Sequence, residues 1–193
     1  MPSLDTQVTT ALVLIDLQRD YFPGGAMELV GAEDAVAQAR ALLEAFRARA
    51  LPVFHLQHVA RRPGATFFLP GTTGVDFHPA AKPSAGEAVV TKHFPSAFRE
   101  TTLLDQLRAV RASRLVVAGM MTHMCVDTTV RAAADLGFEC LLAQDGCATK
   151  ALQFSGQPID APQVQLAYLA ALNGAFAKVQ PAQAIAAEVS REA

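Results

Sequence analysis

The sequence predicts an α/β fold with a mostly parallel sheet covered on both faces. Two observations carry this. Short apolar runs alternate along the chain with longer amphipathic segments of helical spacing. The apolar runs also lack polar–apolar alternation, which is the pattern of strands buried on both faces. With 193 residues, 51% of them hydrophobic and 18% charged, the chain is long enough for one core and too apolar for disorder. It reads as a single domain over residues 1–193.

Residues 11–17, apolar apart from Asp16, form the first predicted strand. Residues 34–50 follow as a helix. Ala35, Ala39, Leu42, Leu43 and Phe46 fall on one stripe, with Asp34 near the N-cap. Residues 51–57 give a second strand and 88–92 a third that ends in Lys92; residues 101–112 are the next helix. The fourth strand, 115–118, leads through Gly119 into a tight turn and a helix over 124–136. A fifth strand covers 138–143, a helix 162–175, a short sixth strand 177–179 and a last helix 181–191. Crossovers between parallel strands should be right-handed. The exception to the alternation is 58–87, which holds Pro63, Gly64, Pro70, Gly71, Gly74, Pro79, Pro83 and Gly86. Long segments of this kind inside a compact domain are often functional. With Phe67, Phe68, Phe77 and His78 inside it, this one reads as a pocket wall.

Composition excludes several functions. The net charge is −2 and no long basic run occurs, so neither nucleic acid nor an anionic membrane surface is an expected partner. No apolar run reaches the ~20 residues of a membrane span. Residues 1–10 lack the basic and apolar regions of a secretory signal. The three cysteines, Cys125, Cys140 and Cys147, form no CxxC pair. Neither a disulfide framework nor structural zinc follows, and a reducing cytoplasm is the expected location. The expected partner is a small-molecule substrate, with no cofactor.

In open α/β sheets, ligands bind beyond the carboxyl ends of the strands. Asp16, Lys92 and Cys125 all fall there. Singly, each has a plain reading: a turn acid, a solvated lysine, a small buried hydrophobe. Their joint placement at one sheet edge points to chemistry. A thiol at a helix N-terminus meets the positive end of the helix dipole, which favours thiolate. Cys125 is then a nucleophile for a carbonyl carbon and Asp16 the acceptor of its proton. Lys92 is a cation that holds Asp16 and favours the thiolate. Backbone N–H groups in the turn from Met121 to Cys125 would hold the oxyanion.

Three blocks extend this pattern in order. They are Leu14-Ile15-Asp16-Leu17-Gln18-Arg19-Asp20-Tyr21-Phe22, then Lys92-His93-Phe94-Pro95-Ser96-Ala97-Phe98, then Gly119-Met120-Met121-Thr122-His123-Met124-Cys125-Val126-Asp127-Thr128-Thr129. Together they resemble the isochorismatase-like cysteine hydrolases, over residues 11–179. The resemblance implies a three-layer α/β/α sandwich around a six-stranded parallel, Rossmann-like sheet, assembled as a homodimer or homotetramer. It implies a triad of Asp16, Lys92 and Cys125. It also implies a cis peptide at Met120–Met121 that aims the Met121 N–H, with that of Cys125, into an oxyanion hole. Members that hydrolyse the isochorismate vinyl ether lack this cysteine, so Cys125 implies the amide-cleaving branch. The expected reaction is C–N hydrolysis of a small amide or carbamoyl compound through a thioester. Nicotinamidases carry an Asp-x-His metal motif after strand two; here His58 and Ala60 stand in those places. No metal is expected, and a nicotinamidase-type amidase is an alternative. A non-catalytic binding or assembly protein on the same scaffold is another. A redox thiol enzyme would leave Asp16 and Lys92 without a purpose.

The pocket candidates are Gln18, Gln57 and His58 as polar contacts, and Phe22, Phe67, Phe68 and Phe98 as apolar surface. His55 and His58 lie three apart on a strand and point to opposite faces, so a shared ion is not expected. His123 reads as a pocket-edge or interface residue. Cys140 reads as core, and Cys147 as an inert thiol at a strand end. Residues 70–74 are glycine-rich but lack the Lys-Ser/Thr of a P-loop.

Overall fold

The computed structural model describes residues 8–191. Its strands are β1 (Thr9–Ile15), β2 (Val53–His58), β3 (Ala88–Lys92), β4 (Ala112–Met120), β5 (Glu139–Ala148), β6 (Leu152–Phe154), β7 (Gln157–Ile159) and β8 (Lys178–Gln180). Its α-helices are α1 (Ala32–Ala48), α2 (Leu103–Ala109), α3 (Asp127–Asp135), α4 (Ala161–Leu172) and α5 (Ala182–Arg191). Six strands form one parallel sheet in the order β3-β2-β1-β4-β5-β8. β6 and β7 make a separate antiparallel hairpin. This is the expected three-layer α/β/α sandwich with a six-stranded sheet.

Alternate residues of β1 fill the two outer layers. Leu12 and Leu14 pack with Leu42, Leu43 and Phe46 of α1 and Ile185 of α5. Ala11, Val13 and Ile15 pack on the other face, with Leu103 and Leu107 of α2, Val130 of α3 and Leu172 of α4. Both faces need apolar side chains, which is why the run shows no alternation. Loss of a buried leucine side chain from such a layer costs about 2–5 kcal/mol.

Several boundaries differ from the sequence reading. α1 begins at Ala32 after Gly31, whose left-handed backbone (φ 75°) serves as the cap; Asp34 lies inside the first turn. There it still meets the positive end of the dipole. The segment read as a helix over 124–136 divides into a π turn, Thr122–Val126, and α3. β5 runs five residues past Ala143, through Gln144, Asp145 and Gly146, because an irregular register pairs Gly119 with Cys147. The β6–β7 hairpin was not anticipated. Its turn residues, Ser155 (φ 49°) and Gly156 (φ 78°), are both left-handed, as a two-residue hairpin requires.

The order of the sheet puts β1 and β4 side by side at its centre, where the chain reverses its direction of travel across the sheet. Such a switch point opens a crevice at the strand ends. Gly119 lets the two strands meet there: with φ 136°, a Cβ on it would lie 2.1 Å from the Ile15 carbonyl oxygen. Residues 58–87 cover one side of this crevice and are held by side chains. Gln18 Nε2 donates to the carbonyls of His58 (2.9 Å) and Val75 (2.8 Å), and Gln18 Oε1 accepts from His58 N (2.7 Å). Asp20 Oδ2 accepts from Phe68 N at 2.5 Å, and its Oδ1 accepts from Ala26 N at 3.2 Å. Among the described residues, no helix is long and apolar enough to cross a membrane.

Glu87 anchors the far end of the same segment. Its carboxylate accepts from Arg47 on α1 (2.6 and 2.8 Å), from Ser84 N (2.8 Å) and meets His55 Nε2 on β2 at 2.8 Å. The Arg47 hydrogen bond leads in holding the Glu87 pKa down, to about 2. The pKa is lower folded than unfolded, so this stabilisation is present above the ordinary value of 4.5 and lost as pH falls from there towards 2. Urea unfolding between pH 6 and pH 3 should show a loss of stability that is smaller in Glu87→Gln than in the native protein. At pH 7 the same substitution should cost about 2 kcal/mol.

Candidate active site

Asp16 follows β1 in left-handed backbone (φ 51°) and has no exposed surface. Lys92 closes β3 and is equally buried. Cys125 lies in the π turn that joins β4 to α3 and is 5% exposed. Three separate strand ends thus deliver the acid, the amine and the thiol to one point. Lys92 Nζ lies 2.8 Å from Asp16 Oδ2 and 3.1 Å from Cys125 Sγ. It is also 3.1 Å from His58 Nδ1 and 3.2 Å from the Phe94 carbonyl oxygen. Register explains the His58 contact, because His58 and Lys92 are paired across β2 and β3.

The electrostatics follow from burial. Desolvation pushes the Lys92 pKa down, but the facing Asp16 carboxylate and Cys125 sulfur outweigh it and the net shift is upward. Desolvation pushes the Cys125 thiol far up, Asp16 pushes it further, and Lys92 opposes both without prevailing. The resting sulfur is therefore a thiol. This differs from the thiolate that a helix N-terminus suggests, because Cys125 precedes α3 and is buried against a carboxylate. Neither Asp16 oxygen has a protein hydrogen bond of good geometry, despite the close ion pair. The Cys125 proton is the donor that suits them. His58 is pushed down to about 4, chiefly by burial. It is neutral at pH 7, so Nδ1 accepts from the Lys92 ammonium and the ring hydrogen sits on Nε2.

One oxygen, nitrogen and sulfur atom of Asp16, His58 and Cys125 lie within 4.8 Å of one another, a ligand set of the kind zinc takes. The Lys92 ammonium already sits among these atoms, at 2.8–3.1 Å from each. An ion bound there would have to displace it.

A cavity of about 840 Å³ opens beside this group. Its wall includes His58 and Phe94, which both touch Lys92, and Met121, whose carbonyl accepts from Met124 N (3.0 Å) and Val126 N (3.2 Å). The Met120–Met121 peptide is cis. Of the pocket candidates, His58 and Phe67 line the cavity, and so does His123. The others do not. Gln18 is fully buried and spent on the backbone of 58–87. Gln57 donates to the Val75 carbonyl and faces a separate recess. Phe22 stacks on His78, with centroids 4.1 Å apart, beside another cleft. Phe68 lies beneath the wall, edge-on to Tyr21. Phe98 stacks on Phe138 and packs against the core on the α2 and α3 side. Cys140 and Cys147 are buried, and desolvation pushes both thiols up to about 12.

Sequence reasoning missed other lining residues: Met27, Arg61, Arg62, His93, Lys150 and Leu152. For Lys150 a signal existed. It lies two residues beyond the true end of β5, at the same edge of the parallel sheet as Asp16, Lys92 and Cys125.

The Isochorismatase domain model matches residues 10–180. The chain belongs to the isochorismatase family. Its members are hydrolases, amidases among them. The chain is 44% identical over 177 residues to the isochorismatase family protein YddQ of Bacillus subtilis, covering 92% of this chain and 98% of YddQ. A solved isochorismatase hydrolase from Oleispira antarctica matches with a TM-score of 0.90 at 46% identity, over 94% of this chain and 98% of that one. The N-carbamoylsarcosine amidase of Thermoplasma acidophilum matches with a TM-score of 0.77 at 25% identity, over 91% and 97% of the two chains. Within this isochorismatase-family hydrolase, the meeting of Asp16, Lys92 and Cys125 is the only such triad of acid, amine and thiol among the described hydrogen bonds and ion pairs.

The electrostatic reading has a direct check. Asp16 raises the Cys125 pKa, so Asp16→Asn should lower it, by about one unit or more. The pH profile of iodoacetamide alkylation, read by mass spectrometry, should move towards lower pH in this variant. A profile that stays in place, or moves up, would show that Asp16 does not hold the sulfur protonated.

Proposed function

We propose that this isochorismatase-family protein is a cysteine hydrolase that cleaves the C–N bond of a small amide or carbamoyl compound through a thioester. The observation that carries the reading is the Lys92 ammonium held between Asp16 and Cys125 Sγ beside an open cavity. A redox role or a passive binding role has no use for a buried acid and ammonium at the thiol.

The steps follow from where the protons sit. The Cys125 sulfur attacks the substrate carbonyl carbon as the S–H proton passes to Asp16. A C–S bond forms and the carbonyl electron pair moves onto oxygen. The Met121 and Cys125 N–H groups are the donors expected to hold that oxyanion. Collapse breaks the C–N bond, and Asp16 returns the proton to the departing nitrogen. Water then attacks the thioester while Asp16 takes a proton from it. The sulfur leaves and is reprotonated, and a carboxylic acid or carbamate is released. Lys92 stays charged throughout and balances Asp16 or the sulfur, whichever carries the negative charge. The similarity to N-carbamoylsarcosine amidase supports C–N cleavage as the reaction class.

In Cys125→Ala, turnover of any amide that the native protein hydrolyses should fall about a thousandfold or more. Circular dichroism should remain native, since the site is small and the cores are untouched. Rapid quench of the native enzyme with substrate should reveal an acyl adduct on the peptide that carries Cys125. Retained turnover in the variant, or an adduct on a different residue, would overturn the assignment.

A further inference from the structure

The cavity beside the triad is basic although the chain as a whole carries a net charge of −2. Arg61, Arg62 and Lys150 contribute cations to its wall, and Glu100 is the one carboxylate among the lining residues. Glu100 is largely exposed and lies 3.7 Å from Arg99 Nε. Lys150 differs from the two arginines in being half-buried. Among the described residues no carboxylate pairs with it; its ammonium meets the thioether sulfur of Met27 at 3.4 Å. A thioether is a weak acceptor. A carboxylate from outside the chain would give this ammonium the counter-charge that the described residues do not supply.

Lys150 is also held in place relative to the nucleophile. The residues before it bond to the turn that carries Cys125: Thr122 Oγ1 donates to the Ala148 carbonyl (3.1 Å), and Thr149 Oγ1 meets His123 Nδ1 (2.5 Å). The Thr149 carbonyl accepts from Val30 N (3.0 Å), which fixes the chain from the other side. The wall also holds the His123 ring, which feels the Lys150 charge, and apolar surface from Phe67, Met121, Met124 and Leu152.

We propose that the cavity takes an amide that carries a carboxylate on an apolar body, and that Lys150 is the residue that binds the carboxylate. This rests on the cysteine-hydrolase reading for the reaction, but not for the binding. Lys150 acts on specificity: it holds one end of the substrate while the amide carbon lies at Cys125. Arg61 and Arg62, exposed at the wall, add to the field that draws an anion in.

Two measurements on the full chain test this. The first compares hydrolysis of matched pairs: succinamate with succinamide, N-carbamoylglycine with its amide, and 4-carbamoylbenzoate with terephthalamide. The acid of at least one pair should exceed its neutral partner in kcat/KM by about tenfold or more. Lys150→Met should raise KM for that acid by about ten- to a hundredfold with a much smaller change in kcat, and should change KM for the neutral partner far less. Lys150→Arg should keep most of the preference. The second measurement does not need turnover. Succinate and terephthalate should slow iodoacetamide alkylation of Cys125 at pH 8 in the native protein more than the neutral diamides do, and Lys150→Met should abolish the difference. Carboxylate protection without hydrolysis of any pair would uphold the carboxylate site and overturn the hydrolase reading. Equal protection by acids and diamides, or a preference that survives Lys150→Met, would overturn the proposal.

Discussion

A lysine ammonium with no exposed surface is the constraint on which this structure turns. Burying such a charge costs several kcal/mol unless its surroundings compensate it fully. Lys92 finds its compensation in groups delivered by separate parts of the fold: Asp16 from the end of β1, His58 from the end of β2, Cys125 from the turn after β4, and the Phe94 carbonyl from its own loop. Each of these has to arrive within about 3 Å, so the strand order and the register across β2 and β3 are tied to the charge they surround. The site is close to neutral as a whole. One carboxylate faces one ammonium, while the thiol and the imidazole are uncharged near pH 7. A protonated His58 would put a second cation against Lys92, and burial together with Lys92 itself prevents that.

The segment 58–87 depends on a second set of buried polar groups. It has little regular structure, so its backbone donors and acceptors cannot be satisfied by a sheet or a helix. Gln18 and Asp20 satisfy several of them from the stretch just after Asp16. Gly74 allows the close approach, since a Cβ there would lie 2.1 Å from Asp20 Oδ1. The residues next to the catalytic acid candidate thus hold the cavity wall in place. The acid and the wall are positioned by one short piece of chain, with Glu87 fastening the segment at its other end.

Much of this was legible in the residues. Continuous apolar runs such as 11–15 and 115–118, short and rich in valine, leucine and isoleucine, suit strands covered on both faces, and the acid, amine and thiol near such strand ends mark the edge where ligands bind. What escaped reading escaped for physical reasons. Gln18 looks like a ligand contact, because a sequence does not show that a side chain amide will meet a backbone carbonyl 57 residues away at Val75. Aromatic residues give no sign of which side of a loop they face, so Phe22, Phe68 and Phe98 could not be separated from Phe67. The extension of β5 was hidden by Gln144, Asp145 and Gly146, which interrupt the apolar run where the register is irregular. With the strand ended too early, Lys150 did not stand at a strand end.

The protonation state of Cys125 shows local and tertiary effects in opposition. A helix dipole acts within about a turn and is worth a fraction of a kcal/mol, up to about 2 kcal/mol. Desolvation of a nearly buried sulfur, reinforced by a facing carboxylate, is larger, and it prevails. The outcome suits a nucleophile that borders an open cavity. A permanent thiolate there would react with any electrophile or oxidant that entered. A thiol whose proton acceptor is a carboxylate faced by the Lys92 ammonium is quiet until a carbonyl carbon arrives to take the sulfur's electron pair. At that moment the proton has a place to go, and Lys92 faces both the group that loses negative charge and the group that gains it. The same ammonium that organises the fold thereby lets charge move across the site without changing its total.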